Sequence, residues 1–159
     1  MEQKTLASWL KFILIGIGLC GLLLYAVILP VYGHDLVESY PEFENRYLPW
    51  LIFLWVSGVP CFVVLWLGWR VVSNIGMDRS FCLENAASLK RVSYLAGGDT
   101  AYFLTGNIVL LLLDMSHPGV FLGSMLVCFA GIAVTVAAAA LSHLVMKAAL
   151  LQDQADLTV

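Results

Sequence analysis

The chain has 159 residues, of which 61% are hydrophobic and only 12% charged, with a formal net charge of −3. That balance lies far outside the composition of a soluble domain and marks an integral membrane protein. It leaves no room within these residues for a separate soluble domain, and the negative charge argues against direct nucleic-acid binding.

A membrane-crossing helix needs about 20 apolar residues at 1.5 Å rise each. Four windows meet that length, roughly 10–31, 50–69, 92–113 and 120–145. Lys4 and Lys11 precede the first window in the manner of a signal peptide. Its apolar run is too long for one, however, and no small-x-small cleavage site follows "LLLYAVILP", so a retained helix is expected. Pro30 is expected to stop this helix and Pro49 to restart the next. Between them lies the acidic segment "YGHDLVESYPEFENRYLP", with Asp35, Glu38, Glu42 and Glu44 against the single Arg46. Part of it, "DLVESYPEF", suits a short surface helix ending near Pro41.

After the second window, "VVSNIGMDRSFCLENAASLKRVSYL" begins with a turn around Asn74 and Gly76 and offers Asp78 or Ser80 as a helix N-cap. Cys82, Ala86, Leu89 and Ser93 then fall on one side of a helix, leaving Arg79, Glu84, Lys90 and Arg91 for water or lipid head groups. This helix enters the third window without an obvious break, and Lys90 and Arg91 are placed to reach anionic lipid. Beyond the turn "DMSHPG", the fourth window carries Gly123, Val127, Gly131, Thr135, Ala139 and His143 on an i, i+4 line. Small residues let membrane helices approach closely, so Gly123, Gly131, Thr135 and Ala139 are expected to pack, within the bundle or between two copies of the chain.

Short cytoplasmic loops collect Lys and Arg. Lys4, Lys11, Arg70, Arg79, Lys90, Arg91 and Lys147 would all share one side, with only Arg46 on the other, which predicts both termini in the cytoplasm. Trp9, Trp66 and Trp69 would lie at the inner interface, and Tyr40, Tyr47 and Trp50 at the outer one. The expected fold is all-α: a polytopic membrane protein whose single domain, residues 1–159, is a bundle of four transmembrane helices. Cys20, Cys61 and Cys128 fall inside spans and Cys82 in the inner loop. No CxxC is present, so packing is the expected role of all four thiols.

Two stretches, "SFCLENAASLKRVSYL" at 80–95 and "LVMKAALLQDQADLTV" at 144–159, together with the four-helix layout, resemble a bacterial membrane family known as domain of unknown function twenty-nine seventy-five. The matching positions are Phe81, Glu84, Asn85, Leu89, Lys90, Arg91, Asp156, Leu157, Thr158 and Val159. Cys82 stands where the family commonly has Thr, and Asp153 and Gln154 where a more acidic run is usual. The resemblance implies a small multi-pass protein of the bacterial inner membrane with no assigned activity. Because genes of that family often lie beside one for a small helix-turn-helix regulator, it also implies a cytoplasmic protein partner.

The residues with chemical potential are few. Asp99 lies roughly 10 Å past the inner end of the third window at 1.5 Å per residue, and an ionisable group there is costly unless paired. His143, about one turn inside the fourth window, is the expected partner. The two would form a polar latch, with Asn107 two turns beyond Asp99 and Tyr102, Thr100 or Ser142 completing it. Gly97 and Gly98 would permit a kink beside it. At the outer rim His34, Asp35, Asp114 and His117 are ligand types that suit a divalent transition metal, but they come from separate loops around an ordinary Pro-Gly turn, so neither a metal nor another cofactor is expected. No phosphate loop or nucleophile triad is present, and an enzyme is not expected.

These readings converge on a protein that works by contact. The segment from Arg79 to Arg91, with Phe81, Glu84, Asn85, Lys90 and Arg91, and the tail from Lys147 to Val159 would form a composite cytoplasmic dock. A small proton-coupled exchanger using Asp99 is the alternative, and a structural subunit of a larger complex the third reading.

Overall fold

The computed structural model describes residues 3–41, 44–116 and 118–156. Four long helices account for nearly all of them: α1 (Gln3–Ser39), α2 (Glu44–Gly76), α3 (Leu83–Leu112) and α4 (Pro118–Asp156). All four are long and apolar enough to cross a membrane. They contain the four predicted windows except for Leu113, which lies one residue past its helix, and extend beyond the windows at every other end.

The helices stack in the order in which they are made. Backbones approach within 8 Å between α1 and α2, α2 and α3, and α3 and α4, whereas among the described residues no such approach joins α1 to α4. The bundle is therefore open, with α1 and α4 at its edges. Of α1 only Ala7 and Gly33 are buried, so most of its apolar surface faces outward, as a helix solvated by lipid should.

Pro30 does not stop the first helix. Proline has no N–H for the carbonyl four residues back, and its ring crowds that carbonyl. The chain meets the demand with a π-helical turn over Leu24–Ile28, in which the Leu29 N–H bonds the Leu24 carbonyl. The helix then runs through Pro30 to Ser39, so the first part, "DLVES", of the expected surface helix "DLVESYPEF" is the end of α1 itself. Similarly, Pro49 lies inside α2, which starts at Glu44. Tyr47 fixes this corner by donating its hydroxyl to the Pro30 carbonyl at 3.2 Å, and its ring lies so close to Gly33 that a β-carbon there would overlap it.

At the other end of the molecule the α2–α3 turn differs from expectation. Asp78 caps nothing: it adopts φ 60° as the left-handed residue after α2, with Arg79 N–H bonded to the Asn74 carbonyl at 3.0 Å and Asp78 N–H to that of Ile75 at 3.1 Å. Cys82 is the N-cap residue of α3 and makes no side-chain cap bond. Gly76 serves as the place where Ala7 of α1 comes within 3.1 Å of where a β-carbon would be.

The core is small. Leu67, Val92 and Ala138, one each from α2, α3 and α4, pack together with Val64 and Leu95 against them. Higher up, Phe53 of α2 stacks on Phe103 of α3 at 5.6 Å and lies over Gly106. Between α3 and α4 the contacts are Ala86 with Ser142, Gly97 with Thr135, and Thr100 with Gly131.

That last interface corrects the predicted packing line. Side chains at i, i+4 drift by about 40° per step on a helix of 3.6 residues per turn, so a line from Gly123 to His143 winds off the interface. Between positions 124 and 142 the buried residues of α4, with the half-buried Gly131 and Thr135, follow alternating steps of four and three: Ser124, Cys128, Gly131, Thr135, Ala138, Ser142. Gly131 and Thr135 are on both lines. Ala139 is exposed, and a β-carbon at Gly123 would meet open space.

Candidate functional site: an intramembrane polar cluster and a groove at the basic end

Asp99 points at α2. Its Oδ2 accepts from the Ser57 hydroxyl at 3.3 Å and from the Cys61 thiol at 3.9 Å, and Cys61 Sγ also lies 3.6 Å from the Ser57 carbonyl. Tyr25, in the π turn of α1, approaches this pair from a third helix. Its ring is seated on Gly58, where a β-carbon would come within 2.9 Å. Three helices thus meet in one polar cluster, about 12 Å along α3 from Arg91 at 1.5 Å per residue. The second carboxylate oxygen, Oδ1, is buried without a hydrogen-bond partner among the described residues, a costly condition in an apolar setting.

The expected latch does not form. His143 is exposed on α4, while its neighbour Ser142 is buried and donates to the Ala86 carbonyl at 2.7 Å. The reason is rotational: Gly97 and Thr100 use the side of α3 that faces α4, which turns Asp99 toward α2. Asn107 is buried and bonded to the Phe103 carbonyl of its own helix at 2.8 Å. Tyr102 donates to the Phe53 carbonyl at 3.4 Å, and Thr100 to Ala96 at 2.7 Å.

Sequence reasoning passed over Tyr25, Ser57 and Cys61. A signal was available in the Ser-Gly-x-Pro-Cys spacing, which sets two polar side chains one helical turn apart beside a proline in mid-span. Proline in such a span frees a carbonyl that polar neighbours must satisfy. Cys61, expected to be a packing residue, is a member of the cluster.

A second site lies at the end bearing most Lys and Arg residues, called here the basic end. A cavity of about 570 Å3 opens between the α2–α3 turn and the last turns of α4. Asp78, Arg79, Phe81 and Glu84 line it from one side and Gln152 and Asp153 from the other. Ser80 ties the turn to the start of α1 by donating to Gln3 at 3.0 Å. Phe81 is 58% exposed. Arg79, Glu84, Lys90 and Arg91 are exposed as expected, but Asn85 is not a surface residue. It is 1% exposed and holds the turn together, donating to the Arg79 and Ser80 carbonyls at 3.2 and 3.0 Å while accepting from Asn74 at 2.8 Å. Leu157, Thr158 and Val159 lie outside the described residues, as does the side chain of Asp156.

At the acidic end, His34 faces Glu38 of its own helix at 3.8 Å. Asp114 is the left-handed residue that closes α3, at φ 52°, and its carbonyl accepts from Arg46. Asp35 is exposed and His117 lies outside the described residues. No three His, Cys, Asp or Glu side chains among the described residues are grouped to hold a metal ion.

Comparison with known proteins fits this picture of a membrane protein. A family model described as "Protein of unknown function (DUF2975)" matches residues 31–159. The uncharacterized membrane protein YoaS of Bacillus subtilis (strain 168) is 26% identical over 162 residues, covering 99% of both chains. No solved structure matches.

Proposed function

The chain belongs to the DUF2975 family of membrane proteins of unknown function, and from that premise we propose that it acts by contact, not catalysis, as a membrane-embedded dock for a cytoplasmic protein. The reading places it in the bacterial inner membrane with both termini in the cytoplasm, because Lys4, Lys11, Arg70, Arg79, Lys90, Arg91 and Lys147 gather at one end and such residues are retained on the cytoplasmic side.

The observation that carries the proposal is the groove at that end. It joins two segments far apart in sequence, the α2–α3 turn and the end of α4, around an exposed Phe81. Its charged lining is Asp78, Glu84 and Asp153 against Arg79 alone, so it favours a basic partner with an apolar anchor. A small helix-turn-helix regulator, the partner class suggested by the family resemblance, has the basic surface this requires.

The test is photocrosslinking in native membranes from a reactive side chain at position 81 or 152. A DNA-binding protein captured from both positions, and lost when Glu84 and Asp153 are changed to Lys, is the expected result. Crosslinks to lipid or to the same chain only would overturn it.

A second reading rests on Asp99, whose unpartnered Oδ1 makes the three-helix cluster a candidate for carrying protons. It predicts a proton-coupled flux in proteoliposomes that Asp99→Asn abolishes. Retention of wild-type flux in that variant would dismiss it.

A further inference from the structure

Lys11, Arg70 and Lys90 lie on three different helices, yet each is 24 residues from a charged residue at the acidic end: Asp35, Arg46 and Asp114. At 1.5 Å per residue that is about 36 Å, slightly more than the hydrocarbon thickness of a bilayer. Each therefore lies about one bilayer thickness from the acidic end, at the depth of the lipid head groups.

Each of these cations also covers an aromatic ring. Lys11 of α1 lies 5.2 Å from the Trp69 ring of α2, Arg70 lies 5.4 Å from Trp66, and Lys90 lies 5.8 Å from Tyr94. The first pair crosses the α1–α2 seam, while the second lies on the neighbouring outward face of α2, Trp66 and Trp69 being three residues apart, so two cations and two indoles border that seam. Among the described residues neither Lys11 nor Arg70 meets a carboxylate, the single ion pair there being His34 with Glu38. A ring face attracts a cation but leaves its N–H donors unused, and a guanidinium fork matches a phosphate in particular. Below Arg70 the same face of α2 presents Trp66, Val63 and Val59, which are 58%, 38% and 62% exposed. This is an apolar track leading into the hydrocarbon.

We propose that the outer edge of the α1–α2 seam, at Lys11, Trp66, Trp69 and Arg70, is a binding site for an anionic phospholipid. The phosphate accepts from Lys11 and Arg70, the indoles flank the glycerol region, and an acyl chain follows Val63 and Val59. The site is independent of the protein dock, which lies on the α2–α3 turn and α4.

Native mass spectrometry of the full chain, exchanged into mixed micelles with equal phosphatidylglycerol and phosphatidylcholine, tests this. Wild type should retain the anionic lipid at least about fivefold over the zwitterionic one. Lys11→Gln with Arg70→Gln should bring that preference down to about equal retention of the two lipids, a loss of two charge-assisted contacts, while Lys147→Gln on α4 leaves it unchanged. Because the double variant could also misfold, Arg70→Lys provides a milder check: it keeps the charge, removes the fork and should weaken retention by an intermediate amount. Equal retention of the two lipids by wild type, or equal losses for Lys147→Gln and the seam variants, would overturn the site. Displacement of the lipid by millimolar inorganic phosphate would also overturn it, showing an anion site with no lipid selectivity.

Discussion

Gly131 of α4 and Thr100 of α3 touch so closely that a β-carbon at position 131 would overlap the threonine hydroxyl. The arrangement is reciprocal one turn away, where Gly97 of α3 receives the methyl of Thr135 of α4, 3.2 Å from where a β-carbon would stand. Each threonine hydroxyl is meanwhile satisfied within its own helix, by Ala96 and Gly131 carbonyls at 2.7 and 2.8 Å. The pair therefore locks α3 to α4 by shape, the means by which membrane helices associate when no hydrophobic force separates them from lipid.

Gly131→Ala should lower stability by about 1–3 kcal/mol, the usual result of overfilling a packed interface. Gly123→Ala, in open space, should instead raise it by up to about 1 kcal/mol through helix propensity. Thermal unfolding in one detergent measures both, and equal effects would dissolve the distinction drawn between the two packing lines.

Asp99 is coupled to Ser57 and not to His143. In a double-mutant cycle on stability, Asp99→Asn with Ser57→Ala should therefore deviate from additivity by at least about 0.5 kcal/mol, whereas Asp99→Asn with His143→Ala should add within about 0.3–0.5 kcal/mol. Strong coupling to His143 would restore the latch that the sequence suggested.

Asn85→Ala should cost about 2–4 kcal/mol, because it removes three hydrogen bonds and leaves buried partners unpaired. The α2–α3 turn should loosen with it. Cys82, half-buried beside Asn74 at 3.9 Å, should then react with a water-soluble maleimide several times faster than in wild type. An unchanged rate would mean that the turn is held by something other than Asn85.

Asp78 and Asp114 occupy equivalent positions, each left-handed and each following a helix whose last carbonyls are closed by bonds spanning six and four residues. Glycine adopts that backbone without the penalty paid by other residues. Asp78→Gly and Asp114→Gly should each stabilise the protein by up to about 1 kcal/mol in thermal unfolding. A loss at position 78 alone would point to a role for its carboxylate in the groove.

The span count and the grouping of basic residues could be read from the sequence because they depend only on composition and order. Helix limits at Pro30 and Pro49 could not, since a π turn and an early start absorb each proline through local geometry that no propensity encodes. Asp99 was recognisable as unusual, but its partner was not. One residue of rotation, about 100° on a helix, decides between α2 and α4, and that rotation is set by Gly97 and Thr100 fitting α4. The same 100° separates His143 from Ser142. Phe81 and Glu84 line a groove beside a turn that anchors them, whereas Asn85, adjacent to Glu84 in sequence, turns inward to hold that turn.

The serial stacking of the helices bears on how the protein is made. Among the described residues the backbones approach only between helices consecutive in the chain, so each new segment leaving the ribosome finds its main partner already in the membrane. Contacts of short sequence separation close with little entropic cost and favour rapid assembly. The chain can therefore acquire its structure hairpin by hairpin during synthesis, and α4, the last of the four helices to emerge, completes the groove only after the other three are in place.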